Sequence, residues 1–133
     1  MSMSDPVSDL LTRIRNASKA KKNAVDVPAS NVKREIVRIL QEKMYVKDMV
    51  ELPDGKQGII RIYLQYAKGD IPVIKGLQRV SRPGRRTYFD AEKVRMSTRN
   101  TRGIMVVSTS RGVMTNHDAA KQGIGGEVVM KCW

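Results

Sequence analysis

Apolar residues recur at helical spacing in the first third of the chain. Four of them fall at i, i+3, i+4 and i+7, which predicts a helix with one apolar face; they are Val7, Leu10, Leu11 and Ile14. Asp5 suits the N-cap of this helix, and Pro6 suits its first turn. A second helix is predicted from residue 31 to about residue 44, capped by Ser30. Its expected core stripe consists of Val32, Ile36, Ile39 and Leu40.

Short apolar runs of strand length lie between and after these helices. In the first half of the chain they cover residues 24–27, 45–52 and 59–66. Pro53-Asp54-Gly55 predicts a hairpin turn between the last two runs. Ile60, Ile62 and Leu64 alternate onto one face of the third run. The order α-β-α-β-β predicts a small sheet with helices on one side, which is an α+β unit.

The second half of the chain is predicted to be mostly strand with one short helix. Strands are expected at 73–80, 85–89, 104–107 and 128–130, with residues 113–114 pairing nearby and residues 97–102 forming a loop. Arg82-Pro83-Gly84-Arg85 predicts a turn. Thr115 can cap a helix over 116–122, which Gly123 would end.

A small, polar stretch, Ala67-Lys68-Gly69-Asp70, lies near the middle of the chain. It predicts a boundary between two α+β subdomains, residues 1–68 and 69–133. The fold class expected is therefore α+β, with two small subdomains packed together.

Charge changes this picture because it is large and uneven. The chain has 25 Lys and Arg against 13 Asp and Glu, a formal net charge of +12. Between Arg79 and Arg102 there are eight cations and two acids, so +6 falls within 24 residues. Such a surface attracts polyanions at long range. Nucleic acid is the first candidate partner, and an anionic membrane surface is the second.

Beside this basic segment, the apolar strand 104–107 continues into three hydroxyl residues. Ser108, Thr109 and Ser110 can each donate and accept hydrogen bonds. Arg111 adds a planar cation that can bond a phosphate or stack on a base. The stretch is either a binding edge or simply a polar turn after a strand.

Two further features carry the same kind of ambiguity. Tyr88 lies within the basic segment, where it can stack on an unpaired base or pack as an ordinary strand residue. Arg13 and Arg15 lie off the apolar face of the first helix. They form either a solvated face or a phosphate-contacting one.

Few residues support catalysis or a cofactor. One histidine and one cysteine cannot build a His/Cys metal cluster, and a His117/Cys132 nucleophile pair lacks an orienting third group. No phosphate loop is present, and the glycines at 123–126 precede a strand rather than a helix. No apolar run approaches the roughly 20 residues of a membrane span, and the start lacks a secretory signal. We expect no enzyme, no cofactor, no small-molecule substrate and no membrane, in an intracellular protein.

Four motifs occur in order along the chain: DPVSDLLTRIRN at 5–16, QRVSRPGRRTY at 78–88, VSTSRGVMT at 107–115 and GGEV at 125–128. Together they resemble the small-subunit ribosomal protein eight family of bacteria and plastids. The resemblance implies a structural protein of the ribosome, in the cytoplasm or the plastid stroma. Its implied partners are the central domain of small-subunit rRNA, neighbouring small-subunit proteins and its own mRNA. The alternative function is a generic basic nucleic-acid-binding module without rRNA specificity.

By position, the resemblance implies that the hydroxyl stretch enters an RNA minor groove at an irregular internal loop. Tyr88 corresponds to an aromatic residue near that loop, and residues 125–127 correspond to a turn against it. The predicted RNA-binding residues are Ser108, Thr109, Ser110, Arg111, Tyr88, Arg82, Arg85, Gly125, Gly126 and Glu127, with Arg15, Ser30 and Lys33 in the N-terminal subdomain.

The chain departs from the family pattern at two places. Residues 92–103 read EKVRMSTRNTRG, where the family usually carries a Leu-Pro-Lys-Val-like segment and a Gly-Leu-Gly run. The extra cations either add phosphate contacts or face solvent. The tail Lys131-Cys132-Trp133 is also atypical, and Trp133 is expected to pack or to contact a protein.

Overall fold

The computed structural model describes residues 5–133 and has the expected α+β architecture. Two compact units are present, one formed by Pro6–Lys75 and the other by Asp5 with Gly76–Trp133. The first unit contains α1 (Pro6–Lys19), β1 (Ala24–Pro28), α2 (Asn31–Glu42), β2 (Val46–Leu52), β3 (Ile59–Leu64), β4 (Tyr66–Ala67) and β5 (Ile71–Pro72). The second contains β6 (Leu77–Arg79), β7 (Tyr88–Phe89), α3 (Ala91–Asn100), β8 (Ile104–Thr109), β9 (Gly112–Thr115), α4 (Asn116–Gln122) and β10 (Gly126–Cys132).

In the first unit, an antiparallel sheet with the order β1-β3-β2 has one buried face. Ile60, Ile62 and Leu64 of β3 are buried, as their alternation predicts. The apolar face of α1 is buried as well. β1 contacts α1 and β2 contacts α2, so the helices supply the other half of this core.

Three of the four predicted core residues of α2, Ile36, Ile39 and Leu40, are buried, and only the first position differs from the prediction. Ser30 caps the helix as expected, since its Oγ accepts a hydrogen bond from Lys33 N at 3.3 Å. Val32, however, is exposed, whereas Val37 and the side chain of Lys33 are buried. The long methylene stem of a lysine can cover apolar surface, so the buried stripe begins at Lys33 instead of Val32.

The polar stretch 67–70 lies inside the first unit. Tyr66 pairs with Pro72 and Ala67 with Ile71, so residues 68–70 form the turn of a short hairpin. Backbone contacts divide the units between Lys75 and Gly76 instead. A polar turn and a linker have the same composition, and only the pairing distinguishes them.

β10 is the central strand of the sheet in the second unit, whose order is β6-β10-β8-β9. β7 also pairs with β10, at its first two residues, and β6 pairs with its last three. All these pairings are antiparallel. A buried cluster of Met105, Val107 and Val128, with Val80 and Phe89 packed against it, forms the core on one face.

Residues 97–102 were expected to form a loop, and this prediction is wrong for residues 97–100, which belong to the helix α3. Asp90 caps it, with its Oδ1 accepting from Lys93 N at 2.8 Å. Only Val94 and Ser97 are buried along this helix, so the sequence lacks an apolar stripe of helical period. This helix is instead stabilised by tertiary packing against α4.

A buried amide joins α3, α4 and β8. Asn116, which is fully buried, accepts a hydrogen bond at Oδ1 from Met105 N at 3.1 Å and donates from Nδ2 to Ser97 Oγ at 3.0 Å. Ser97 Oγ in turn donates to Val94 O at 2.5 Å. Among residues 5–133, no buried side-chain nitrogen or oxygen lacks a hydrogen-bond partner, which is the usual condition for polar groups in a core.

α4 and its ends follow the sequence closely. Thr115 caps the helix through a hydrogen bond from Asp118 N to its Oγ1 at 3.1 Å. Gly123 ends it in the left-handed conformation, at φ 66°, which glycine adopts without a side-chain clash. Within residues 5–133, none of the helices combines the length and the apolar character needed to cross a membrane.

At the start of β10, the backbone of Gly126 lies too close to β8 to tolerate a side chain. A Cβ added at Gly126 would lie 2.3 Å from Ser108 O, and one added at Gly125 would lie 2.3 Å from Phe89 O. Both neighbours are backbone atoms, which cannot rotate away. Glycine at these positions therefore allows β10 to approach β8 and the end of β7.

We expect Gly126→Ala to lower the free energy of unfolding by about 1–3 kcal/mol, the usual effect of inserting a methyl group where there is no room. Urea denaturation measures this. Gly84→Ala is the matched control, because a Cβ at Gly84 has no atom within 4 Å, and its effect should stay within about 0.5 kcal/mol. Equal stability of the two variants would contradict the close approach.

Asn116→Ala should cost about 1–3 kcal/mol of unfolding free energy, because it leaves the buried Met105 N–H without an acceptor. The control is Asn100→Ala, which removes the same side chain from an exposed position on α3. Hydrogen exchange adds a second readout, since the Met105 amide should lose protection in Asn116→Ala. Unchanged protection would show that this hydrogen bond does not hold β8.

Candidate nucleic-acid interface

Three predicted site residues form one row across the sheet of the second unit. Glu127 of β10 is directly opposite Tyr88 of β7 on one side and Ser108 of β8 on the other. Directly opposed residues of antiparallel strands project to the same face, and two strand spacings separate Tyr88 from Ser108 by about 10 Å. We call Tyr88, Glu127 and Ser108 the hydroxyl row.

Tyr88 is 68% exposed, so its ring is not packed in the core. A strand tyrosine that served only the core would bury its ring. Its chain neighbour Phe89 fills that role instead, packing against the buried cluster. The Tyr88 ring and hydroxyl are therefore available to a partner, as stacking on an unpaired base requires.

A tight hairpin turn follows Ser108 along β8. Thr109 pairs with Gly112 in the β8-β9 ladder, so Ser110 and Arg111 form a two-residue turn. The Thr109 hydroxyl stabilises this turn twice: it donates to Gly112 O at 2.7 Å and accepts from Arg111 N at 3.1 Å. Thr109 thus shapes the loop, whereas the flanking serines remain open to a partner.

The hydroxyls of Ser108 and Ser110 have no intramolecular hydrogen-bond partner among residues 5–133. Ser110 is exposed at the tip, and Ser108 is half-buried in the row. Each hydroxyl offers one donor and two acceptor positions. The two serines sit on either side of a residue whose hydroxyl is already engaged.

Glu127 is oriented by a cation that the sequence analysis did not single out. Arg86 Nη1 donates to Glu127 Oε2 at 3.0 Å. The Glu127 side chain is 21% exposed and the Arg86 side chain 48%. Arg86 lies two residues before Tyr88, and this strand-like spacing is the sequence signal that could have indicated it.

The two arginines of the predicted turn are exposed and lie next to β10. Arg82 and Arg85 exchange both backbone hydrogen bonds around Pro83-Gly84. The turn is anchored by the fully buried Ser81, whose Oγ accepts from Thr87 N at 2.7 Å. Both guanidinium groups are thus presented to solvent near the row.

Not every cation of the second unit is available to a partner. Arg79 is largely buried, pairs with Asp5 at 3.2 Å and donates from Nη1 to Val129 O at 2.7 Å. Lys93 lies over the Phe89 ring, with Nζ 4.5 Å from its centre. Arg111 donates to Gln122 Oε1 at 3.3 Å, which holds its guanidinium beside α4.

The predicted N-terminal site residues belong to the other unit and are partly committed to local structure. Lys33 Nζ donates to Pro28 O at 2.9 Å, and burial lowers the pKa of its ammonium group. The Ser30 hydroxyl accepts from Lys33 N. These two residues therefore lie together at the start of α2, while Arg15 is exposed on α1.

Metal chemistry and thiol chemistry receive no positive support from the described residues. Residues 5–133 contain no group of three or more His, Cys, Asp or Glu side chains placed to hold a metal ion. Cys132 is fully buried, and burial raises the pKa of its thiol to about 12. A nucleophilic cysteine needs the opposite shift.

The second unit therefore presents a specific set of groups on one side of its sheet. Open hydroxyls and the partly exposed Glu127 carboxylate can read donor and acceptor patterns, an exposed aromatic ring can stack, and the turn that carries Arg82 and Arg85 can bind phosphate. Base or sugar edges with phosphates nearby match this combination better than a small metabolite does.

Comparison with known proteins adds an independent finding. The family model described as Ribosomal protein S8 matches residues 5–133. The small ribosomal subunit protein uS8 of Salinibacter ruber is 48% identical over 129 residues, covering 97% of this chain and 96% of that protein. The proteins of the same name from Ligilactobacillus salivarius and Clostridioides difficile are each 47% identical over 133 residues, the full length of both chains. The chain belongs to the ribosomal protein S8 family.

Proposed function

We propose that this protein is a structural constituent of the small ribosomal subunit that binds an irregular helix of the central domain of small-subunit rRNA. Its hydroxyl row and the adjoining Ser110 tip read the RNA, and its arginine turn binds the backbone. Neighbouring small-subunit proteins are its other partners. Membership of the ribosomal protein S8 family supports the ribosomal part of this proposal.

The observation that carries the RNA-binding part is the alignment of Tyr88, Glu127 and Ser108 on one sheet face. In regular A-form RNA the minor groove is wide and displays 2′-hydroxyls, whereas the major groove is too narrow for side chains. Short serine side chains fit a shallow groove lined with hydroxyl groups. The exposed Tyr88 ring adds stacking wherever an internal loop leaves a base unpaired.

Charge then supplies affinity rather than selectivity. Arg82 and Arg85 are exposed beside the row, and contacts to phosphate carry no sequence information themselves. Selectivity for an irregular helix must come from the row and from Ser110. In a generic basic module, by contrast, charge alone would set the affinity for every RNA.

The same surface accounts for the second RNA partner that the family resemblance implies. An mRNA segment folded into the same kind of internal loop would offer the same 2′-hydroxyls and the same unpaired base. It would compete with rRNA for the row. Repression of the protein's own message therefore needs no second site.

Replacing Ser108 and Ser110 with alanine should weaken binding to an rRNA internal-loop hairpin by about 1–3 kcal/mol, or roughly 5- to 150-fold, because two hydrogen bonds are lost. Binding to a plain RNA duplex should change by less than about twofold, because charge dominates it. Fluorescence anisotropy with both RNAs, over a range of salt, measures the two affinities.

Ser18→Ala, on α1 of the first unit, controls for the loss of a serine hydroxyl away from the row. In the wild type, the preference for the hairpin should be about 100-fold, or roughly 3 kcal/mol, and much of it should survive added salt. If hairpin and duplex weaken equally in the double variant, or fall together as salt rises, the row does not read RNA.

The reactivity of the Cys132 thiol tests whether this residue could act as a catalytic nucleophile. With the thiol pKa at about 12, almost no thiolate exists at pH 8, so iodoacetamide should leave Cys132 unmodified in the native protein and label it fully in urea. Mass spectrometry reads the labelling directly. Rapid labelling of the native protein would instead show an activated thiol and reopen a catalytic role.

A further inference from the structure

We propose that the second unit has a further RNA-binding site, a cleft in which one unpaired base stacks on Trp133 while its phosphate binds Arg102 and Lys131. We call it the Trp133 cleft; it is lined by Gln78, Asn100, Thr101, Arg102, Lys131 and Trp133. The proposal rests on the RNA-binding function proposed above. It uses none of the residues of the hydroxyl row.

The indole is held in place by the backbone. Trp133 and Gly76 exchange both backbone hydrogen bonds, at 2.9 and 3.1 Å. A Cβ added at Gly76 would lie 2.2 Å from Cζ2 of the indole, so the ring packs directly on the glycine. A ring fixed in this way loses little further conformational entropy when a base stacks on it.

The size of the cleft restricts its occupant. Its volume is about 260 Å³, below the roughly 300–1,000 Å³ that small-molecule sites usually have. A free metabolite would be poorly enclosed there. One ring belonging to a longer chain fits better, since the rest of that chain can lie on the surface outside.

The charge of the cleft selects an anionic chain. Arg102 and Lys131 line it without any acidic residue beside them, and within residues 5–133 neither side chain has an ion pair or a hydrogen bond. Other arginines of this unit do have carboxylate partners: Arg86 pairs with Glu127, and Arg79 with Asp5. An unneutralised pair of cations beside a cleft attracts phosphate.

Nucleic acid satisfies the whole lining better than an acidic peptide does. The indole can stack on a base, and such stacking is tolerant of sequence. The Gln78 and Asn100 amides offer both donors and acceptors, which suits the edge of a base. An acidic peptide would pair with the two cations but would leave the indole unstacked.

The outer face of α3 leads up to the cleft but supplies only Asn100 to its lining. On that face Glu92, Arg95, Met96 and Arg99 are exposed and fall at i, i+3, i+4 and i+7. Arg99 lies less than one turn before Asn100 and Arg102, so the outer face of the helix leads to the cleft. The segment that departs from the family pattern thus ends at the proposed site.

The cleft and the hydroxyl row are separate sites. Glu127 and Trp133 lie six residues apart, about 20 Å along an extended strand. Lys131 pairs with Met105, whereas Glu127 pairs with Ser108. Met105 and Ser108 are an odd number of residues apart on β8, so the two pairs project to opposite faces of the sheet.

Trp133 is the only tryptophan of the chain, so its fluorescence reports the cleft directly. Hexa-adenylate RNA is the probe, and we expect it to quench Trp133. Arg102→Gln with Lys131→Gln should weaken this quenching about tenfold or more, because two phosphate-binding cations are removed beside the stacked base. Arg95→Gln with Arg99→Gln removes the same charge from the outer face of α3 and should weaken it less than about threefold.

Two control ligands and the α3 double variant test this interpretation. An abasic oligomer of the same length carries the phosphates without bases and should not quench, and hexaglutamate should not quench either. Quenching by either one as strong as by the RNA would overturn base stacking, and the hexaglutamate result would assign the cleft to acidic peptides. If quenching weakens equally in the Arg102→Gln, Lys131→Gln variant and in the Arg95→Gln, Arg99→Gln variant, binding is nonspecific attraction to positive charge and the cleft proposal is wrong.

The two proposals fail in different ways. The Ser108→Ala, Ser110→Ala variant should keep its quenching by hexa-adenylate, and loss of that signal would overturn an independent cleft. If wild-type protein selects the internal-loop hairpin but hexa-adenylate leaves Trp133 fluorescence unchanged, only the cleft proposal is wrong. If quenching occurs without hairpin selectivity, the cleft stands and the role of the hydroxyl row is wrong. Urea denaturation confirms that each variant is folded.

Discussion

The close approach of β10 to β8 at Gly126 is the constraint on which the second unit depends. Because a side chain there would overlap Ser108 O, the two strands can register only with a glycine in this place. That register puts Glu127 between Tyr88 and Ser108. A side chain at Gly126 would therefore displace the strands and change the alignment of Tyr88, Glu127 and Ser108, even though it alters none of these three residues.

A polar contact also fixes β8 in the second unit. Asn116 connects the backbone of β8 to Ser97 of α3, so the helix and the strand are fixed by directional hydrogen bonds. Such bonds contribute little net stability, but a missing partner is costly when the group is buried. The amide thus specifies where α3 lies, although that helix buries few apolar side chains.

The net charge of +12 is divided by the fold into cations with different roles. Arg79 is neutralised within the unit, Lys93 covers an aromatic ring and Arg86 orients Glu127. Arg82, Arg85 and Arg102 remain exposed. Net charge explains attraction to a polyanion at a distance, but only the exposed group can contribute to phosphate binding at the surface.

The sequence by itself determined the features that depend on local chemistry. The first helix and its apolar face, the hairpin turn at Arg82–Arg85, the caps of α2 and α4 and the end of α4 at Gly123 all follow from spacing and from the conformational preferences of single residues. The motifs at 78–88 and 107–115 likewise indicated the family and the candidate residues.

Only the tertiary structure decided the rest. α3 has no apolar period that would predict it from sequence. Its stability comes from packing against α4 and from a buried hydrogen-bond network, which are contacts between residues distant in sequence. The buried stripe of α2 begins at the methylene stem of Lys33 instead of at Val32. The turn at 68–70 depends on a strand pairing that its composition does not encode. The Trp133 cleft unites Gln78, residues 100–102, Lys131 and Trp133, which the pairing of β10 with both β6 and β8 brings together. Local sequence fixes local conformation, whereas long-range contacts select among the alternatives that it leaves open.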